Sequence, residues 1–237
     1  MCLCEMWKIS FIFAPVRAAV ETRHCREAAS TFSQGDKVIY SKSVGFTDVE
    51  QEIRANENSK YRIGSISKTF TAVLTLKAME EKKLSLNQTI DKWFPTIDNA
   101  DKITIEHLLR HRSGLYNHLD EWTKLGWHTQ PKTEAKMIEI IIKGGNGFAP
   151  DTKMAYSNSN YILLTYILEK IYKKPYSEVL KEKIVKPLGL KNTYLGGKIN
   201  IQNGECDSDL VKFSTDFARC SFIFPQAKFR MLIPQTV

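Results

Sequence analysis

Cysteine is scarce in this chain and badly placed for a scaffold. Five cysteines in 237 residues are an odd number, and none lies between Arg26 and Glu205. No C-x-x-C pair occurs, so neither a disulfide framework nor a cysteine zinc site is supported. Long apolar runs are also missing: Ile9–Val16 and Tyr161–Ile171 are too short or interrupted for the roughly 20 apolar residues that span a bilayer as a helix. Glycine (12) and proline (8) are too few for a collagen-like or low-complexity chain. Neither Lys143-Gly-Gly nor Gly196-Gly-Lys has phosphate-loop spacing, so nucleotide binding has no support.

What is present is ordinary globular composition, 43% hydrophobic and 25% charged. The 34 Lys and Arg exceed the 26 Asp and Glu by 8. The lysines are interleaved with acids, as in Glu80-Glu-Lys-Lys83 and Lys181-Glu-Lys183, which describes a solvated surface rather than a nucleic-acid stripe. At the N-terminus Glu5 interrupts the basic region that an export signal requires, and the apolar run behind it is minimal. No convincing signal peptide is read there.

Along the chain, Lys37–Thr47 alternates like a strand, and Ser33-Gln-Gly-Asp36 provides a turn to an antiparallel partner near Ala28–Phe32. Tyr61-Arg-Ile-Gly64 is a short approach to a helix on which Ile66, Phe70, Val73, Leu74 and Ala78 recur at helical spacing. Ile103–His111 reads as a short helix capped by Thr104, with Gly114 beyond its end. Helices are also expected over Glu134–Ile142, Asn158–Tyr172 and Tyr176–Val185, with little that reads as sheet after them.

Two elements carry possible chemistry. Ser65-Ile-Ser-Lys68 is an S-x-x-K element opening a helix. The serine would sit at the positive end of the helix dipole, with the lysine near the same face. A serine hydroxyl needs an adjacent base to become a nucleophile, and a desolvated lysine can serve. The plainer alternative is an N-cap serine and a surface lysine. Tyr156-Ser-Asn158 follows a loop and precedes a helix. A tyrosine beside a lysine can act as base and then acid; the plainer alternative is a capping Ser and Asn with a core tyrosine. His107 and His111 stand four apart on a helix but have no third ligand. Capping and packing suit them better than metal.

These elements fall within a longer ordered set: Tyr61–Ala72, Lys83-Leu-Ser-Leu86, Ile103–Leu115, Pro150–Tyr161 and Lys186-Pro-Leu-Gly-Leu-Lys-Asn-Thr193. Together they resemble the serine β-lactamase-related family of class C β-lactamases, penicillin-binding proteins and their esterase and peptidase relatives. The resemblance implies an α+β fold of the β-lactamase/transpeptidase type, a helical domain packed on an antiparallel sheet. It implies domain bounds of 32–195, with divergent segments at 1–31 and 196–237.

By the same resemblance Ser65 is the acylated nucleophile, Lys68 its activating partner, Tyr156 the general base and acid, and Asn158 a substrate-binding group beside Lys68. The Ser65 N–H would be one oxyanion donor. The implied substrate is a β-lactam, a D-amino-acid peptide or an ester. No cofactor or metal is implied, no nucleic-acid partner, no transmembrane segment and no particular oligomeric state. Relatives that act on wall peptides work outside the cytoplasm.

The family's third motif, Lys or His two residues before Gly, finds no match after Asn158, and Arg112-Ser-Gly114 precedes the tyrosine element. Ser208-Asp-Leu-Val-Lys-Phe213 resembles a family helix that arrives after only a short stretch. The expectation is an incomplete sheet with exposed edges, marginal stability and weakened turnover, with about 10²–10³ lost for one missing oxyanion donor. The alternative to an active hydrolase is therefore an impaired or non-catalytic binding member of the same family.

Overall fold

The structure is a computed structural model that describes residues 27–35, 37–48, 50–119, 132–197, 200–206 and 222–225. The N-terminal apolar segment, Cys2, Cys4, Cys25 and Cys220, and the Ser208–Phe213 stretch lie outside the described residues. The chain divides into two compact units, one of residues 1–63, 198–212 and 222–237, the other of 64–197 and 213–221.

In the first unit, β1 (Glu27–Gln34) and β2 (Lys37–Asp48) form the expected antiparallel hairpin, from Glu27 opposite Gly45 to Gln34 opposite Lys37. Gly35 turns it at φ +56°, a left-handed conformation that glycine adopts without a Cβ penalty. The register shifts by a bulge at Phe32/Ser33. The two-residue β3 (Ile53–Arg54) pairs with the far end of β2, giving a sheet ordered β1-β2-β3. Phe32, Val38 and Ile39 on the hairpin are exposed.

Tyr61–Arg62, expected only as an approach to a helix, belongs to a strand, β4 (Lys60–Arg62). It pairs antiparallel with Phe222–Pro225, Lys60 opposite Pro225 and Arg62 opposite Ile223. The sheet expectation is corrected here. A four-residue strand ending in proline shows little alternation of its own.

The second unit is helical. Helix α1 (Ser67–Glu80) follows a 3-10 turn, Gly64–Ile66. Its buried stripe is Ser67, Phe70, Thr71, Leu74, Thr75 and Ala78, a helical i, i+3, i+4 sequence. Ile66 and Val73, expected on that face, are exposed. Hydroxyls take their place because each finds a partner. The Thr71 and Tyr176 hydroxyls meet at 2.8 Å, and Thr75 Oγ1 donates to the Thr71 carbonyl at 2.8 Å, so burial leaves those hydroxyls bonded.

The next helix, α2 (Ile105–Leu109), starts at a capping box. Thr104 Oγ1 accepts from the His107 N–H while His107 Nδ1 accepts from the Thr104 N–H. The cap was legible; the histidine's part in it places His107 in a structural role. Helices α3 (Glu134–Gly144), α4 (Asn158–Tyr172) and α5 (Tyr176–Leu180) match their expected positions, and α5 runs on as a π-turn over Lys181–Val185.

Helix α4 is buried along most of its length, with Leu163, Leu164, Tyr166, Ile167 and Leu168 almost fully enclosed. With Leu74, Ala78, Ile90, Phe94, Ile105 and Leu108 they form the core that fixes α1 beside α4. That pairing matters because Ser65 and Lys68 sit at the start of one helix and Asn158 at the start of the other. No helix among the described residues is long and apolar enough to cross a membrane.

Candidate active site

Two loops set the tyrosine element. The segment after α2 zips against the segment before α4. Tyr116 N–H donates to Gly145 O, Gly147 N–H to Gly114 O, Asp151 N–H to Arg112 O and Ala155 N–H to His111 O, at 2.8–3.1 Å. Gly114 is needed at the crossing. It has φ +80°, and a Cβ there would lie 2.0 Å from the Phe148 carbonyl oxygen. Arg112 adds an ion pair to Asp151 and holds the Asp151 carboxyl below the usual carboxylate range.

The zipped loops deliver Tyr156 to Ser65. The Ser65 and Tyr156 hydroxyls are 2.9 Å apart, and Lys68 Nζ donates to Ser65 Oγ at 3.3 Å. Lys68 also donates to Asn158 Oδ1 at 2.7 Å, while Tyr156 Oη lies 3.3 Å from the same oxygen. All four residues singled out in the sequence thus meet within hydrogen-bond reach.

The plainer alternatives do not describe them. The cap position of α1 is Ile66, not Ser65. Tyr156 is half exposed rather than core. Ser157 Oγ, instead of capping α4, donates to the Tyr116 carbonyl.

Asn158 is oriented by a residue that the sequence did not point to. Asn117 Oδ1 accepts from both the Asn158 backbone N–H (3.0 Å) and its side-chain Nδ2 (3.2 Å). With the amide nitrogen engaged there, the amide oxygen faces Lys68, which settles the flip of this amide. Lys68 itself lies over the rings of Tyr156 and Tyr161, 4.9 and 5.8 Å from their centroids. Among the described residues it meets no carboxylate. Its Nζ is met by amide and hydroxyl oxygens and by aromatic faces.

Two histidines lie close enough to feel Lys68. His111, half-buried, is held below the usual histidine range by burial and then by the Lys68 charge. His118, buried, is pushed down to about 4 for the same two reasons. The His118 N–H donates to Ser159 Oγ (3.0 Å), which in turn donates to the Tyr116 carbonyl. His111 was noticed in the sequence only as half of a metal-like pair. No group of three His, Cys, Asp or Glu among the described residues could hold a metal ion, and the His111 ring instead packs on Tyr156 and Tyr161, with centroids 4.6 and 5.2 Å away.

Comparison with known proteins turns this geometry into a lineage. The Beta-lactamase family model matches residues 14–205. The chain belongs to the Beta-lactamase family. Among its relatives is the teichoic acid D-alanine hydrolase of Staphylococcus aureus, 29% identical over 160 residues, which make up 68% of this chain and 38% of the relative. The chain spans little more than a third of the length of the curated relatives it matches, 36% and 38% in two cases.

Among solved structures, the D-amino acid amidase of Ochrobactrum anthropi SV3 aligns with a TM-score of 0.76 at 22% identity, over 90% of this chain and 66% of that one. The octameric penicillin-binding protein homologue of Pyrococcus abyssi aligns with a TM-score of 0.69 at 26% identity, over 79% and 44%. The α+β fold of this Beta-lactamase family chain is therefore of the β-lactamase/transpeptidase type, as the sequence resemblance implied.

Proposed function

We propose that the chain is a serine hydrolase that works through an acyl-enzyme on Ser65, with residues 32–195 carrying the catalytic domain. The supporting observation is the triangle in which Ser65 Oγ lies 2.9 Å from Tyr156 Oη and 3.3 Å from Lys68 Nζ. In this reading Ser65 Oγ attacks an acyl carbonyl as its proton passes to Tyr156 or Lys68. The same pair returns the proton to the leaving oxygen or nitrogen as the carbonyl bond to it breaks. Water, deprotonated by the same base, then releases the acid and restores Ser65.

Asn158 holds Lys68 in place and offers its amide edge to the substrate, and the Ser65 N–H donates to the oxyanion. Once Lys68 holds the Ser65 proton, its ammonium stabilises the negative charge that develops beside it. The substrate class is an ester, a D-amino-acid peptide or a β-lactam, a small molecule or peptide in each case. Support for a D-amino-acid substrate comes from the relative named as a teichoic acid D-alanine hydrolase and the neighbour named as a D-amino acid amidase, and for a β-lactam from the penicillin-binding homologue. No cofactor enters this chemistry.

The test is intact-protein mass after incubation with a penicillin and, separately, with an activated ester, using Ser65→Ala as control. An adduct on the wild type alone supports the reading. Folded protein without an adduct favours the impaired or non-catalytic binding alternative.

A further inference from the structure

His111 makes more contacts with the tyrosine element than its sequence position suggests. Its carbonyl accepts the Ala155 N–H at 2.9 Å, and its ring Nδ1 accepts the Ser157 N–H at 3.3 Å. Between those two anchors its ring packs on the Tyr156 ring, 4.6 Å between centroids with the planes 36° apart. Residues 155, 156 and 157 are therefore all fastened to one side chain and its own backbone. His111 does this from φ +56°, the left-handed region that few residues other than glycine adopt.

The hydrogen bonds around the ring dictate where the imidazole proton sits. The Leu115 N–H donates to Ser113 Oγ at 3.1 Å, so the Ser113 hydroxyl proton is directed to Asn160 Oδ1. With its oxygen occupied, Asn160 turns its Nδ2 to His111 Nδ1 at 3.1 Å. Ser113 and Asn160 are both about 1% exposed, so water does not compete for these bonds. Nδ1 thus receives two donors and must be unprotonated, leaving the proton on Nε2.

We propose that His111 is the positioning residue for Tyr156, holding the phenol on Ser65 only while its imidazole is neutral and protonated at Nε2. A proton on Nδ1 would face the Ser157 N–H and the Asn160 amide, two donors, and the new charge would face Lys68. The groups around the ring are Lys68 from α1, Tyr156 and Tyr161 from the opposite loop and helix, and the neighbouring Arg112, already paired with Asp151. No carboxylate among the described residues contacts the ring to stabilise an imidazolium, and burial beside Lys68 opposes it further. On protonation the Ser157 anchor on Nδ1 releases while the Ala155 anchor on the His111 carbonyl stays, and with one of the two holds gone the Ser65–Tyr156 hydrogen bond is lost. The catalytic consequence rests on the Ser65 reading above; the tautomer and the anchor do not.

The experiment compares wild type, His111→Asn and His111→Phe. Asparagine tolerates the left-handed backbone and places an acceptor oxygen where Nδ1 stands, yet cannot be protonated. Phenylalanine keeps the ring but not the acceptor. Nitrogen-15 spectra should show His111 with a bare Nδ1, and the Tyr156 Cζ resonance should move with the His111 titration in wild type but not in His111→Asn.

Acylation by an activated ester, followed by mass from about pH 7 to about pH 4, should lose rate with that same midpoint in wild type and lack this limb in His111→Asn. His111→Phe should be slowed about 10²-fold at neutral pH, the cost of an ångström of misplacement. A proton on Nδ1, a Tyr156 resonance indifferent to His111, or an unchanged acid limb in His111→Asn would overturn the proposal. If no adduct forms at any pH while the resonances behave as expected, the hydrolase reading fails and the anchor stands.

Discussion

Lys68 Nζ rests 2.7 Å from Asn158 Oδ1, and that amide oxygen, not a carboxylate, is the lysine's nearest hydrogen-bond partner among the described residues. An amide oxygen meets the lysine as a dipole rather than as a counter-ion. Asn158→Asp replaces the dipole with a full negative charge and stabilises the ammonium. The expected outcome is a protein that melts as the wild type does but forms the Ser65 acyl adduct about 10²-fold more slowly. A mass time course beside a melting curve checks both halves. An acylation rate that is unchanged in the variant counts against a proton-transfer role for Lys68.

Tyr156 separates packing from chemistry at a single atom. Its ring lies on His111, while its hydroxyl meets Ser65 Oγ at 2.9 Å from a half-exposed position. Tyr156→Phe keeps the ring and removes only the oxygen. Stability should change by no more than about 0.5 kcal/mol, as for other surface positions. The acylation rate should fall by about 10²–10⁴, the worth of a positioned general base. Equal adduct formation in wild type and variant would assign the base to Lys68 alone.

The candidate site residues were more legible in the sequence than the scaffold that aims them. Each of the two short elements was ambiguous alone, and it was the family resemblance that singled out Ser65, Lys68, Tyr156 and Asn158, which the structure brings within hydrogen-bond reach. Helix α4 was readable to the residue from the helical pattern over Asn158–Tyr172. The aids were not readable. Asn117 acts across 41 positions and His111 across 46, and nothing local distinguishes an asparagine that orients an amide from one on a turn. The buried stripe of α1 misled for a related reason. Thr71 and Thr75 look polar in a pattern, yet Tyr176 and a helical carbonyl make them good core residues. The strand Phe222–Pro225 pairs with Lys60–Arg62, some 160 residues away along the chain, a partnership no local pattern announces.

Gly114 tests the loop zipper without touching the chemistry. A Cβ at this position would meet the Phe148 carbonyl oxygen at 2.0 Å, and the φ of +80° is one that an L side chain rarely adopts. Gly114→Ala should therefore separate the two loops and cost roughly 2–4 kcal/mol, combining backbone strain with a clash that no rotamer relieves. Denaturant unfolding would register it as a lower midpoint. A midpoint within error of wild type would mean that the crossing of the two loops is looser than the structure describes.

Acid should weaken the helical unit through Glu81. Its carboxylate accepts from Lys183 at 2.7 Å and from Lys83 at 2.5 Å, and these bonds, Lys183 first, hold its pKa down to about 2. A carboxyl depressed in the folded state stabilises that state at pH values above its ordinary pKa, and the contribution disappears as pH falls through the folded value. The window therefore runs from about 4.5 down to about 2. The three side chains are partly solvated, so screening reduces the effect to about 1 kcal/mol. Glu81→Gln should lower stability by about that amount at pH 7 and by nothing near pH 2, so the two stability curves converge in acid. Curves that stay parallel from pH 7 to pH 2 would show that the bridge to Lys183 and Lys83 contributes nothing to folding.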